Sequence, residues 1–213
     1  MNLDWQSTAL IVIDMQRDFL DPRGYAAKAG LDITLLRRAI PGVARILKAA
    51  REAGIVIVHT REANAPDLSD VPPAFRDATA RTGAPVGSDG PLGRLLIRGE
   101  PGAGIIDELA PRTGEIAIDK PGFSAFEGTA LGSMLLARGI RTLILCGITT
   151  EVCVSSTLRT AIDRGFRCIT LADACASAYP DLHDAALRMI GVEGGVFGAV
   201  AAVDDLVRVL EEG

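Results

Sequence analysis

The stretch Thr142–Leu171, TLILCGITTEVCVSSTLRTAIDRGFRCITL, holds one complete structural cycle. An apolar, β-branched run opens it at Thr142–Cys146, and a second run, Arg167–Leu171, closes it. Between them Val152–Arg164 reads as a helix that stops at Gly165, the residue type that ends helices in a left-handed conformation. Short apolar runs that do not alternate with polar residues fit strands buried on both faces. Strand, helix, glycine, strand is the pattern of a parallel βαβ unit with a right-handed crossover.

The same pattern extends in both directions. Ala9–Ile13, Ile55–Val58 and Glu115–Ile118 read as three more strands, and Val196–Ala201 as a short last one. Helices are predicted over Ile33–Ala53, which stops at Gly54, over Thr129–Arg138, which stops at Gly139, and over Asp181–Ile190 and Val203–Leu210. These elements predict an α/β fold with a mostly parallel sheet between two helical layers, in a single domain over residues 1–213. Asn64–Ile106 is different: it is rich in Pro and Gly and has no clear strand. It is too long for a simple connection, so a lid or a partner-facing excursion is expected at about 64–106. Its run GEPGAG, Gly99–Gly104, neither follows a strand nor opens a helix, which argues against dinucleotide binding.

Composition narrows the function classes. At 213 residues, 48% hydrophobic and 23% charged, the chain can bury an ordinary globular core. A net charge of −5 without a basic run argues against nucleic acid or an anionic membrane as partner. Neither a membrane-length apolar stretch nor a basic, then apolar, leader stands in the sequence, so a cytoplasmic location is expected. Cys146, Cys153, Cys168 and Cys175 show no CxxC spacing and read as free thiols. His59 and His183 are the only histidines and lack ligand spacing, so neither a metal nor a cofactor is expected.

In a sheet of this kind ligands bind beyond the carboxyl ends of the strands. That rule selects Asp14, then His59-Thr60-Arg61-Glu62, then Asp119-Lys120, then Gly147 through Cys153, and Asp173. Taken singly, Cys153 could be a core thiol, Asp14 a turn cap and Lys120 a surface cation. Together they form a nucleophilic site. Cys153 falls in the first turn of a predicted helix, where backbone N–H groups and the helix dipole favour a thiolate and could hold an oxyanion. Asp14 can accept the thiol proton and later return it to a leaving amine. Lys120 can keep that carboxylate ionised and stabilise charge at sulfur. Neither histidine is well placed to pair with the cysteine, and the other three cysteines read as core or loop thiols.

Four motifs, IVIDMQRDF (Ile11–Phe19), HTRE (His59–Glu62), IDKPGFSAF (Ile118–Phe126) and GITTEVCVSSTLRTAIDRGF (Gly147–Phe166), resemble the isochorismatase-like cysteine hydrolases over almost the whole chain. The resemblance implies a three-layer α/β/α sandwich, Rossmann-like, with a six-stranded sheet. It also implies an Asp-Lys-Cys triad at Asp14, Lys120 and Cys153, and a non-proline cis peptide at Ile148-Thr149 that turns the Thr149 N–H toward an oxyanion beside that of Cys153. Branches that cleave the isochorismate vinyl ether lack the cysteine. Nicotinamidases carry an Asp-x-His metal cluster where this chain reads HTREANAPDL.

The nearest resemblance is to biuret hydrolases and their ureido-amide relatives, through HTREANAPDL, GPLGRLLIRGEPG, IDKPG, GITTEVCVSSTLR and GGVFG. It implies a metal-independent amidohydrolase that releases ammonia from a small amide or ureido compound through a thioester-type intermediate. Phe19 and Phe123 are expected to line the pocket and Glu193 to touch the polar end of the substrate. Phe123 and Glu193 depart from the biuret hydrolase pattern, which has Lys and Gln there. An alternative is a carboxylated carbamoyl substrate, ureidoacrylate or an N-carbamoyl amino acid, which a cation such as Arg61 near the site would favour. A non-catalytic binding module is a third reading, disfavoured by the intact triad. The resemblance also implies a homo-oligomer, with a tetramer expected.

Overall fold

The computed structural model describes residues 3–211. Six strands form one sheet: β1 (Thr8–Ile13), β2 (Val56–Glu62), β3 (Ile116–Lys120), β4 (Thr142–Ile148), β5 (Arg167–Ala176) and β6 (Ala199–Ala201). All pair in parallel, in the order β3-β2-β1-β4-β5-β6. The order reverses between β1 and β4, which opens a crevice at their carboxyl ends.

The longer helices are α1 (Ala39–Glu52), α2 (Pro73–Arg81), α3 (Leu131–Ala137), α4 (Ser155–Asp163), α5 (Pro180–Ile190) and α6 (Val203–Glu211). Alternate residues of β1 serve opposite layers, which is why its sequence is apolar throughout. Leu10 and Val12 pack with Val43, Ile46 and Leu47 of α1 and Leu206 of α6. Ala9, Ile11 and Ile13 pack with Leu131 and Leu135 of α3 and Leu158 of α4. Each fully buried aliphatic side chain contributes roughly 1.5–3 kcal/mol, so both faces of the central strand stabilise the sandwich. Gly147, at the end of β4, has a φ of +117°, and a Cβ there would collide with the Ile13 carbonyl. That glycine lets β1 and β4 approach closely where the crevice begins.

The expected helix Ile33–Ala53 is two elements, a single turn at Ile33–Leu36 and then α1. The excursion at 64–106 carries α2 and a two-residue hairpin. Its Val71, Phe75, Leu96, Ile97 and Ile105 enter the same apolar cluster as Leu10 and Val12. The strand expected to end at Val58 runs on to Glu62. Its polar end HTRE pairs with β3, setting Thr60 beside Ile118 and Glu62 beside Lys120. Among the described residues no helix is long and apolar enough to cross a membrane. The four cysteines are buried free thiols.

Candidate active site

Asp14 follows β1 directly, in a left-handed backbone conformation with φ +52°. Its side chain is fully buried. Thr60 Oγ1 donates to Asp14 Oδ1 at 2.6 Å, and Lys120 Nζ lies 2.7 Å from Oδ2. That second contact is an ion pair off the angle of a hydrogen bond, so Oδ2 keeps its accepting capacity. Lys120 ends β3, equally buried, and donates to the Gly122 carbonyl at 2.8 Å. The same ammonium is 3.5 Å from Cys153 Sγ. Burial alone would lower the Lys120 pKa, but the charges of Asp14, Cys153 and Glu62 outweigh it and hold the pKa above its ordinary value. Lys120 is therefore a permanent cation inside the protein.

Cys153 sits in a wide turn, Thr150–Val154, between β4 and α4. The Thr149 carbonyl accepts from both Val152 and Val154 N–H, at 3.2 and 3.1 Å, and the second bond spans five residues in the manner of a π-turn. The Ile148–Thr149 peptide is cis.

The cysteine is not the pre-formed thiolate expected of a helix N-terminus. Burial pushes the Cys153 thiol well above its ordinary value, Lys120 opposes that, and the charges of Asp14 and Glu62 reinforce it. Dehydration of sulfur outweighs one ammonium when two carboxyls crowd the same space. The thiol is neutral at rest and needs a base at the moment of reaction.

Glu62 is among the strand-end residues that the sequence selects, but the sequence assigns it no role. It is buried, its Oε2 lies 3.6 Å from Lys120 Nζ, and the Cys153 thiol donates to it at 3.5 Å. Gln16 holds its backbone, accepting from Glu62 N–H at 2.7 Å and donating to its carbonyl at 3.0 Å. HTRE continues the strand expected to stop at Val58, and strand alternation sends Thr60 and Glu62 to the same side. Asp14, Glu62 and Cys153 bring ligand-type atoms within 4.8 Å of one another. Lys120 supplies the positive charge such a trio needs.

Glu62 and Cys153 stand at the base of a cavity of about 210 Å³. Phe19, Tyr25, Phe75, Phe123, Leu31, Ile148 and Val152 wall it, and Glu62, Thr149 and Cys153 face into it. It is smaller than the ~300–1,000 Å³ of drug-sized sites and suits a small substrate. Phe123 is 42% exposed at the mouth and meets Phe75 edge to face, ring centres 5.4 Å apart. Phe75 belongs to α2, so the 64–106 excursion roofs the cavity of its own chain. A larger open depression of about 750 Å³ lies among Asp4, Ser7, Arg141 and Arg167 at the amino ends of the strands. It holds no cysteine and no buried carboxyl, so the chemistry belongs at the other end.

Phe19 and Phe123 both line this cavity. Glu193 does not line it: it is exposed after α5, with a φ of +50°. The chain leaves α5 through Val192–Gly194 and Gly195, a turn in which Glu193 takes a left-handed conformation. Glu193→Gln is accordingly expected to leave kcat and KM unchanged within about twofold, as surface substitutions usually do; a changed order of preference in a substrate panel would overturn this. Arg61 is also absent from the cavity wall, because its Nε pairs with Asp119 Oδ1 at 2.6 Å. His59 bonds Glu115 at 2.9 Å and His183 bonds Thr150 Oγ1 at 2.7 Å, so both are structural. Asp119 holds Arg61, and Asp173 accepts from Val203 N–H at 2.8 Å at the start of α6.

Residues 8–205 match the isochorismatase domain family. The ureidoacrylate amidohydrolase RutB of Azorhizobium caulinodans is 35% identical over 211 residues, spanning 95% of this chain and 90% of that protein. A cysteine hydrolase from Pseudomonas syringae pv. phaseolicola 1448A is similar at a TM-score of 0.84 and 29% identity, covering 100% of this chain and 96% of that one. N-carbamoylsarcosine amidase from Thermoplasma acidophilum is similar at 0.70 and 27%, covering 93% and 97%. With a family match over nearly its whole length and a crevice built at the strand ends, this chain belongs to the isochorismatase family.

Proposed function

We propose that this protein is a cysteine-dependent amidohydrolase that cleaves a C–N bond of a small N-carbamoyl compound. The observation that carries the reading is the Cys153 thiol, set between Lys120, Asp14 and Glu62 at the base of a small, largely apolar cavity. Asp14 accepts the thiol proton, and sulfur attacks the carbamoyl carbon. The N–H groups of Thr149 and Cys153 receive the oxyanion, a contribution of the kind worth ~10²–10³ in rate. The C–N bond then breaks, the amine leaves, and the acyl group remains on sulfur until water releases it.

For the substrate, similarity to a ureidoacrylate amidohydrolase supports a carboxylated ureido compound, and similarity to an N-carbamoylsarcosine amidase supports the same class. A second reading, a neutral biuret-like compound, is favoured by one feature of the cavity. Among its described wall residues none is a cation, and Arg61 is engaged by Asp119. A carboxylate bound there without a partner would lose affinity.

Ammonia release from ureidoacrylate, N-carbamoyl amino acids, biuret, triuret and nicotinamide separates these readings. Fastest turnover of ureidoacrylate or an N-carbamoyl amino acid is expected. Fastest turnover of biuret selects the second reading, and no turnover of any carbamoyl compound overturns both.

A further inference from the structure

Two carboxyl groups face the nucleophile, and the protein treats them differently. Asp14 is enclosed by Lys120 and Thr60 and does not reach the cavity wall. Glu62 lies 3.6 Å from the same ammonium, 3.5 Å from sulfur, and does line the cavity. A single ammonium compensates the nearer carboxylate more strongly, because Coulomb attraction falls with distance. Asp14, at 2.7 Å, is thus the carboxyl that the ammonium compensates, and Glu62, at 3.6 Å, is the one left to hold a proton.

Everything that faces Glu62 agrees with this. Burial raises its pKa first, Lys120 from β3 opposes, and Asp14 from the end of β1 reinforces, leaving it at about 7. Cys153, from the turn after β4, is neutral at rest. Tyr25, from the turn Tyr25–Lys28, is pushed up to about 12 by burial and then by the Glu62 charge, so it too stays neutral. Gln16 holds the Glu62 backbone at both its N–H and its carbonyl, which keeps the carboxyl aimed at the cavity.

We propose that Glu62 is the catalytic acid and base on the substrate side of this site, protonating the leaving nitrogen and then activating the hydrolytic water, while Asp14 serves only the thiol. The proposal rests on Cys153 being the nucleophile. In acylation the thiol proton passes to Asp14, the S–C bond forms, the C–N bond breaks, and the nitrogen takes its proton from Glu62. In deacylation the Glu62 carboxylate takes a proton from water, and the oxygen attacks the acyl carbon. The C–S bond then breaks, and sulfur recovers its proton from Asp14. Every group returns to its starting state. This replaces the expectation that Asp14 returns its proton to the amine, because Glu62, and not Asp14, lines the cavity.

Glu62→Gln with two probes tests the division of labour. p-Nitrophenyl acetate expels a leaving group that needs no proton, whereas the carbamoyl compound turned over fastest by the native enzyme does need one. The variant is expected to lose ~10²- to 10⁴-fold in kcat on the carbamoyl compound. Its KM on that compound and its p-nitrophenolate burst rate should stay within about threefold of native. The native acylation rate should fall as pH rises through about 7, where Glu62 loses its proton, and the variant should lack that limb.

Unchanged carbamoyl turnover, or a burst rate that falls in step with it, overturns the proposal. Should the variant give no burst because its site is misfolded, Glu62→Asp decides. Recovery of the pH limb supports the assignment and its absence overturns it. Cys153→Ala separates the two claims: a burst that survives in that variant sinks the nucleophile itself.

Discussion

Cys153→Ala is expected to abolish measurable amide hydrolysis, a loss on the order of 10⁴-fold or more, as when the nucleophile of a catalytic triad is removed. The covalent step needs sulfur at the base of the cavity, and no other described thiol can substitute. Cys146, Cys168 and Cys175 do not line it, and burial raises the pKa of each. The structural cost of the change is small. Cys153 is 5% exposed and contributes one heavy atom to its apolar cluster, so its loss costs about 1 kcal/mol of cavity and transfer energy. Cys153→Ser is expected to be equally inactive, because a buried hydroxyl is far harder to deprotonate than a thiol already held neutral by its surroundings. Ammonia release beside a thermal melt reads both quantities. A variant that melts like the native protein and turns over normally would refute the nucleophile.

Lys120→Met is expected to damage both the fold and the chemistry. Its ammonium, wholly enclosed, answers Asp14 at 2.7 Å and Glu62 at 3.6 Å, and methionine answers neither. Breaking a buried pair from one side costs about 3–5 kcal/mol, which for a chain of this size lowers Tm by roughly 6–20 °C. The pH dependence identifies the cause. In the native protein the Lys120 contribution is fully present below its ordinary value of 10.5 and fades only as pH climbs through the raised folded value. In the variant, the two unpaired carboxyls hold protons in the folded state that they release in the unfolded chain from about pH 4 upward. The folded state then binds more protons, so stability falls as pH rises. The Tm deficit relative to native should be larger at pH 8 than at pH 5, and equal deficits at both would refute the account. Amide turnover should fall about 10²-fold or more, because sulfur loses the cation that stabilises its charge.

Asp14, Lys120 and Cys153 were legible because each follows or ends an apolar run, and a parallel sheet gathers such positions at one rim. Glu62 stands at the same rim in HTRE, but the apolar run before it stops at Val58. Only pairing with β3 extends the strand and sets Glu62 directly across from Lys120. For Glu193 the resemblance implies a substrate contact, whereas the structure shows it exposed in the left-handed turn after α5.

The alternation of strands and helices, the glycines at 54, 139 and 165 that follow three of the helices, and the strand-end positions of Asp14, Lys120 and Cys153 can all be read along the chain. These are local properties: apolar periodicity, the conformational freedom of glycine, and the chain direction within a parallel sheet. That burial raises the thiol's pKa, that a second carboxyl stands beside it, and that Phe75 roofs the site from its own chain become visible only in the folded molecule. Each of those depends on what lies across space. A pKa follows from burial and from charges on other strands, and a cavity from segments that meet only when the chain folds.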